Sequence, residues 1–210
     1  VIGLVPYYTD IKIDSEDSVP LEILVDPQEP ISAEKASIAV IRFPCISNFT
    51  DFSPLENDDQ VQLHYLSSSK SLEGYDLVIL PGSKNVRSDL RWLKSSGWYD
   101  RLLTYSKQAG ELGGICGGYQ ILGEMIHDPK GVEDTPGSDK GLGLLPIETT
   151  MDAEKTLTRS KGIWIQTDDP VEGYEIHMGK SSANRQMKAV IQMKEQNGEK
   201  FIQLEGAMAS

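Results

Sequence analysis

Residues 113–120 read Gly-Gly-Ile-Cys-Gly-Gly-Tyr-Gln, and four glycines around one cysteine leave few backbone paths open. A tight strand-to-helix turn needs flanking positions where backbones approach closely, and residues without side chains allow this. Gly114, Gly117 and Gly118 supply that clearance in the pattern of a nucleophile elbow. Cys116 then stands at the start of a helix, where free N–H groups and the positive end of the dipole are expected to favour thiolate over thiol. The plainer alternative is a small core residue at the end of a buried strand, because unpaired cysteine is among the most buried residue types.

The surrounding pattern predicts an α/β unit. Residues 75–80, Tyr-Asp-Leu-Val-Ile-Leu, form a short apolar run stopped by Pro81-Gly82-Ser83, as expected of a buried parallel strand running into a loop. Val86, Leu90 and Leu93, then Leu102 and Leu103, recur at helical spacing across a break at Ser95-Ser96-Gly97, which predicts two helices before a second strand near Leu112. Strand, crossover and strand make a right-handed βαβ unit. The ligand crevice of such sheets lies beyond the carboxyl ends of the strands, where Gly82, Ser83 and Cys116 all fall. Backbone N–H groups from the Gly82-Ser83 loop and from Gly117 are therefore expected to face one developing oxyanion.

Length and charge narrow the class. With 210 residues the chain can bury one substantial core. A formal net charge of -12 argues against a nucleic-acid partner, which needs a basic face. No apolar run approaches the roughly 20 residues of a membrane span, and no signal peptide is evident. Two cysteines, Cys45 and Cys116, do not make a disulfide framework, which fits a reducing cytoplasm. Residues 1–35 carry eight acidic residues, two lysines and Pro20, Pro27 and Pro30. They read as a preceding domain's tail followed by a linker. A new apolar strand at 37–43 opens the main domain, assigned to residues 36–210.

Several motifs together carry a family resemblance. The 38–43 strand and Pro44-Cys-Ile-Ser-Asn-Phe-Thr-Asp-Phe52 are followed by Leu80-Pro-Gly-Ser-Lys-Asn85 and Gly114-Ile-Cys-Gly-Gly-Tyr-Gln120. Gly141-Leu-Gly-Leu-Leu-Pro146 and Gly173-Tyr-Glu-Ile-His-Met-Gly179 complete the series. In order and spacing they resemble the class I, triad-type glutamine amidotransferases, in the cobyric/cobyrinic acid synthase branch. Residues 1–22, with Glu16-Asp-Ser18, resemble the end of that branch's ATP-dependent amidating domain and favour the cobyric acid synthases over the a,c-diamide synthases.

The resemblance implies a three-layer, flavodoxin-like α/β fold with a mixed, largely parallel sheet. It implies Cys116 as the nucleophile toward glutamine, with Gly82, Ser83, Gly117, Tyr119 and Gln120 on the substrate side. Ammonia would pass to an N-terminal synthetase domain, where ATP and Mg support amidation of corrin carboxylates; no cofactor is expected in the amidotransferase domain itself. His177, at the end of a predicted strand, is the candidate base within these residues. In the family the catalytic histidine resembles one in a later Tyr-x-His-Gly strand, which is expected beyond Ser210, so that the domain is read as truncated at its C-terminus. Competing readings are another class I-like cysteine amidotransferase and a noncatalytic docking module.

The remaining candidates have structural readings. His64 alternates with apolar neighbours as a half-buried strand residue, His127 is expected in a solvent-facing loop, and neither has metal-ligand spacing with the cysteines. Cys45 is read as ordinary packing, Asn48 and Asp51 as part of an exit loop near the crevice, and Trp92, Trp98 and Tyr99 as core.

Overall fold

A computed structural model describes residues 30–153, 156–183 and 187–208. The reading of residues 1–22 as a synthetase tail, and most of the 1–35 segment, thus lies outside the described residues. So does Ser210. Where the described residues begin, the chain is pinned to the domain: Ile31 packs against the core, and the Ser32 N–H donates to Gln62 Oε1 at 2.7 Å.

The framework is a four-stranded parallel sheet. Strand β1 (Ala36–Ile41) is followed by the two-residue β2 (Ile46–Ser47), a 3-10 turn (Phe49–Phe52) and a short helix α1 (Ser53–Glu56). Next come β3 (Val61–Leu66), β4 (Leu77–Leu80) and the two-residue β5 (Gly82–Ser83). Helices α2 (Val86–Ser95) and α3 (Trp98–Lys107) then lead to β6 (Glu111–Gly114). The sheet order is β3-β1-β4-β6, all neighbours parallel.

Both faces of this sheet are packed, which explains the unbroken apolar runs of β1 and β4. Ala39 and Ile41 of β1, with Val78 and Leu80 of β4, join Leu90, Leu93, Trp98 and Leu102 of α2 and α3 in the main core. Ile38, Val40 and Ile79 point the other way, against Phe52 and the partly buried Leu55. Helix, sheet and helix thus give the expected three layers. The two predicted helices occupy 86–95 and 98–107, with the break where Gly97 takes φ 85. Asn85 caps α2, its side-chain oxygen accepting the Ser88 N–H at 2.9 Å.

Beyond helix α4 (Gly117–Leu122), no further helix occurs among the described residues. Parallel pairing needs long crossovers, and the short connections that follow α4 mostly favour antiparallel neighbours. The strands are β7 (Met125–Asp128), β8 (Gly137–Lys140), β9 (Ile147–Thr150), β10 (Thr156–Trp164), β11 (Pro170–His177), β12 (Lys180–Ala183), β13 (Ile191–Gln196) and β14 (Glu199–Glu205). They build a mixed sheet of order β12-β9-β7-β8 and an antiparallel sheet of order β11-β10-β13-β14. The parallel strands of the framework are therefore joined by two further sheets rather than extended into one.

Candidate active site

Strand β6 runs through the glycine pair at 113–114, and α4 begins at Gly117. Between them Cys116 adopts φ 50, ψ -110, a backbone state that L-residues avoid and that persists where the surroundings impose it. Those surroundings are backbone. A Cβ built on Gly118 would lie 2.0 Å from the Leu80 carbonyl oxygen, and one on Gly114 would lie 2.7 Å from the Tyr119 nitrogen. The Ile115 N–H donates to that same Leu80 oxygen at 3.0 Å. The turn is thus pressed onto the carboxyl end of β4 with no room for side chains, and Cys116 is left exposed at its tip.

Strand β5 supplies the facing wall. It is not the free loop expected from the sequence, because it pairs antiparallel with β2, Ser47 opposite Gly82 and Ile46 opposite Ser83. A Cβ on Gly82 would stand 3.9 Å from Cys116 Cβ, and one on Gly117 would stand 2.9 Å from Ser83 Cβ and 3.0 Å from the Ser83 nitrogen. Gly82, Ser83 and Gly117 therefore gather around Cys116. The other two substrate-side candidates are engaged elsewhere. Tyr119 packs against the main core, and buried Gln120 donates from Nε2 to the Met178 carbonyl at 3.4 Å.

Burial of the sulfur's surroundings pushes Cys116 above its ordinary value, and the negative charges of Asp51 and Glu133 push the same way against a bond from the Gly117 N–H. Desolvation, the largest effect, outweighs the lowering expected at the helix start, where the Gly117 N–H supplies the one opposing bond. Cys45 is raised as well, by burial and then by Asp89. Alkylation of Cys116 by iodoacetamide is accordingly expected to climb about tenfold per pH unit through neutrality and on toward pH 9, following the thiolate fraction. Peptide-mapped rates between pH 6 and 10 test this, and a plateau near pH 7 would refute it.

His177 closes β11 opposite Thr156, but its side chain lies outside the described part of the structure. The Gln120–Met178 bond does bring the backbone just after β11 onto the elbow helix. The other histidines are accounted for. His64 is buried on β3, its Nδ1 2.8 Å from the Tyr75 hydroxyl. His127 is not in a loop: it lies in β7, held between Ser138 Oγ at 2.8 Å and Glu148 Oε2 at 3.3 Å, because β8 and β9 flank that strand. Among the described residues, no three His, Cys, Asp or Glu side chains form a metal-holding group.

Three charged residues near the elbow were not singled out from the sequence. Asp89, fully buried in the first turn of α2, accepts the Ser83 hydroxyl at 2.5 Å and the Cys45 N–H at 3.0 Å. Glu133 accepts the Val86 and Arg87 N–H groups at 3.1 and 3.0 Å, closing the start of the same helix from outside. Arg87 is buried between Asp128 and Asp139, which anchors the loop carrying Glu133. An acid in a helix's first turn signals only a favourable dipole contact, so the sequence held no sign of these long-range partners.

A cysteine at a strained elbow over a parallel sheet, faced by close-packed glycine backbone, defines an α/β domain of the nucleophile-elbow kind, and solved structures share its fold. PurLQS from Thermotoga maritima superposes with a TM-score of 0.58 at 17% identity, over 77% of this chain and 76% of that one. A crystal structure of a glutamine amidotransferase gives a TM-score of 0.54 at 14% identity, over 74% and 79%. Residues 37–210 match the model of the CobB/CobQ-like glutamine amidotransferase domain, and the chain belongs to that family. It is 47% identical over 210 residues to the cobyric acid synthase of Chlorobaculum tepidum, and 46% identical over 209 residues to that of Chlorobium phaeobacteroides strain BS1. In each case the alignment covers 100% of this chain but 42% of the relative's length.

Proposed function

We propose that this domain is the glutaminase half of a cobyric acid synthase, hydrolysing glutamine to supply ammonia for ATP-dependent amidation of corrin side-chain carboxylates. The observation that carries the reading is Cys116 at φ 50, ψ -110, exposed above the carboxyl end of β4 and against Gly82. Its sulfur attacks the side-chain amide carbon of glutamine, and the carbonyl oxygen becomes an oxyanion facing the backbone of β5 and Gly117. The thiol proton goes to a base and from there to the nitrogen, which leaves as ammonia when the C–N bond breaks. Water then attacks the glutamyl thioester, releasing glutamate and restoring the thiol. A thiol held above its ordinary value makes that base a requirement rather than a refinement.

The synthetase domain, with its ATP, Mg and corrin substrate, is assigned to the part of the relatives' length that this chain does not span; no described residue is assigned to them. A cytoplasmic location is inferred, in keeping with an unpaired cysteine nucleophile. No helix among the described residues is long and apolar enough to cross a membrane.

The test uses the full-length protein containing this chain. The glutamine analogue diazo-oxo-norleucine should label Cys116 far faster than Cys45, and glutamine should yield glutamate and ammonia in equal amounts. Absence of both reactions would overturn the proposal. The base is assigned, by resemblance, to a Tyr-x-His-Gly strand, a pattern these 210 residues do not contain. His177→Ala is therefore expected to keep glutaminase activity within about tenfold, whereas removing a proton-transfer group commonly costs about 10²–10⁴ in rate. A loss of that larger size would make His177 the base and withdraw the assignment to a Tyr-x-His-Gly strand.

A further inference from the structure

We propose that Asp89 is a positioning residue for the oxyanion side of the Cys116 site, its buried carboxylate tying β5 to β2 and so setting where Gly82 and Ser83 stand relative to the nucleophile. This rests on the glutaminase reading and adds to it a group outside the reacting atoms.

Strands β2 and β5 are two residues each, so their pairing has little stability of its own. Asp89 holds both. One carboxylate oxygen accepts the Ser83 hydroxyl at 2.5 Å, and the other accepts the Cys45 N–H at 3.0 Å. The Ser83 oxygen in turn accepts the Asn85 N–H at 3.0 Å, and the Lys84 N–H donates to the Cys45 carbonyl at 2.7 Å. Asp89 itself is carried on a ten-residue helix whose Leu90 and Leu93 are fully buried in the core. The support is rigid, and the wall it holds is the one in contact with Cys116 and Gly117.

The chemistry of the pair makes a charged acceptor specific here. Ser83 Oγ receives the Asn85 N–H and gives its own proton to the carboxylate, which can only accept when ionised. An asparagine amide can satisfy the Cys45 N–H but would turn its NH₂ toward Ser83 Oγ, reversing that bond and releasing the hydroxyl proton that now holds Ser83 in place. Burial raises the Asp89 carboxyl above its ordinary value, ahead of the bonds from Ser83 and Cys45 that lower it. With a folded-state value above the unfolded one, stability falls as pH rises through the interval between them. Loss of the charge should thus be felt in rate more than in folding.

The full-length Asp89→Asn protein is expected to fold with a thermal midpoint within a few degrees of the parent and to alkylate Cys116 with iodoacetamide within about twofold, because neither depends on the oxyanion wall. Its kcat for glutamine hydrolysis should fall roughly 30-fold with KM changed less than about threefold, somewhat less than loss of a whole oxyanion donor. Affinity for glutamate γ-semialdehyde, which adds to the thiol and places an oxyanion against the wall, should fall in parallel with kcat. Unchanged kcat and aldehyde affinity would overturn the inference, as would a uniform loss in which alkylation and thermal midpoint fall together with kcat. Ser83→Ala, which removes one of the carboxylate's bonds, should lower kcat and aldehyde affinity together by several-fold; no change there would also overturn it. If the parent protein neither hydrolyses glutamine nor reacts with diazo-oxo-norleucine, the glutaminase reading fails first. A parent that is active beside an equally active Asp89→Asn protein sinks this inference alone.

Discussion

Cys116→Ala and Cys116→Gly proteins should both release no measurable glutamate, a loss on the order of 10⁴-fold or more for removal of a nucleophile. The two should differ in stability. At φ 50, ψ -110 any L-residue carries strain of about 1–3 kcal/mol, which glycine relieves and alanine does not. Urea unfolding should therefore rank the glycine variant above the parent and the alanine variant near it. The strain is imposed by the docking of α4 on β4 and is retained because it lifts the sulfur out of the turn. Substantial residual turnover in either variant would remove Cys116 from the chemistry; a glycine variant no more stable than the parent would show that the backbone is not strained.

Gly118→Ala should be the most damaging single methyl group in the domain. Its Cβ would sit 2.0 Å from the Leu80 oxygen and 2.5 Å from the Leu80 carbonyl carbon, and neither is the end of a flexible side chain. The helix start must back away from β4, which opens the bond from Ile115 N–H to Leu80 and moves Cys116 with it. A loss of about 3 kcal/mol or more is expected, at the upper end for overpacking, with activity lost even where the fold survives. Gly173→Ala is the control, since nothing lies within 4 Å of its Cβ and its φ needs no glycine. It should change stability by less than about 0.5 kcal/mol. Parity of the two in denaturant midpoint would show that α4 does not dock as closely as described.

The glycines that matter were visible in the sequence as a cluster, but their ranking was not. Glycine next to cysteine signals a need for clearance; which backbone approaches which glycine depends on how α4 crosses β4. Gly117, the natural choice beside the nucleophile, meets Ser83 at 2.9 Å, while Gly118 meets Leu80 much more closely. The two helices between the strands were legible because apolar spacing and a glycine break are local signals, and the structure places them at 86–95 and 98–107. The division of the later strands into two further sheets was not, because pairing partners such as β7 with β9 are set by register across the fold.

The sequence by itself determined the elbow, the parallel βαβ core and the convergence of Gly82, Ser83 and Gly117 on one cysteine, because these follow from short-range periodicity and from where glycine must stand. Tertiary structure alone decided the electrostatics. Desolvation, and after it the charges of Asp51 and Glu133 from distant segments, raises the Cys116 thiol where the helix start suggested the opposite. Tertiary structure also decided that Asp89, an ordinary first-turn acid in sequence, is sealed beneath the wall that faces the nucleophile. Charge and desolvation act through space and depend on every neighbour at once, so no local pattern in the chain records them.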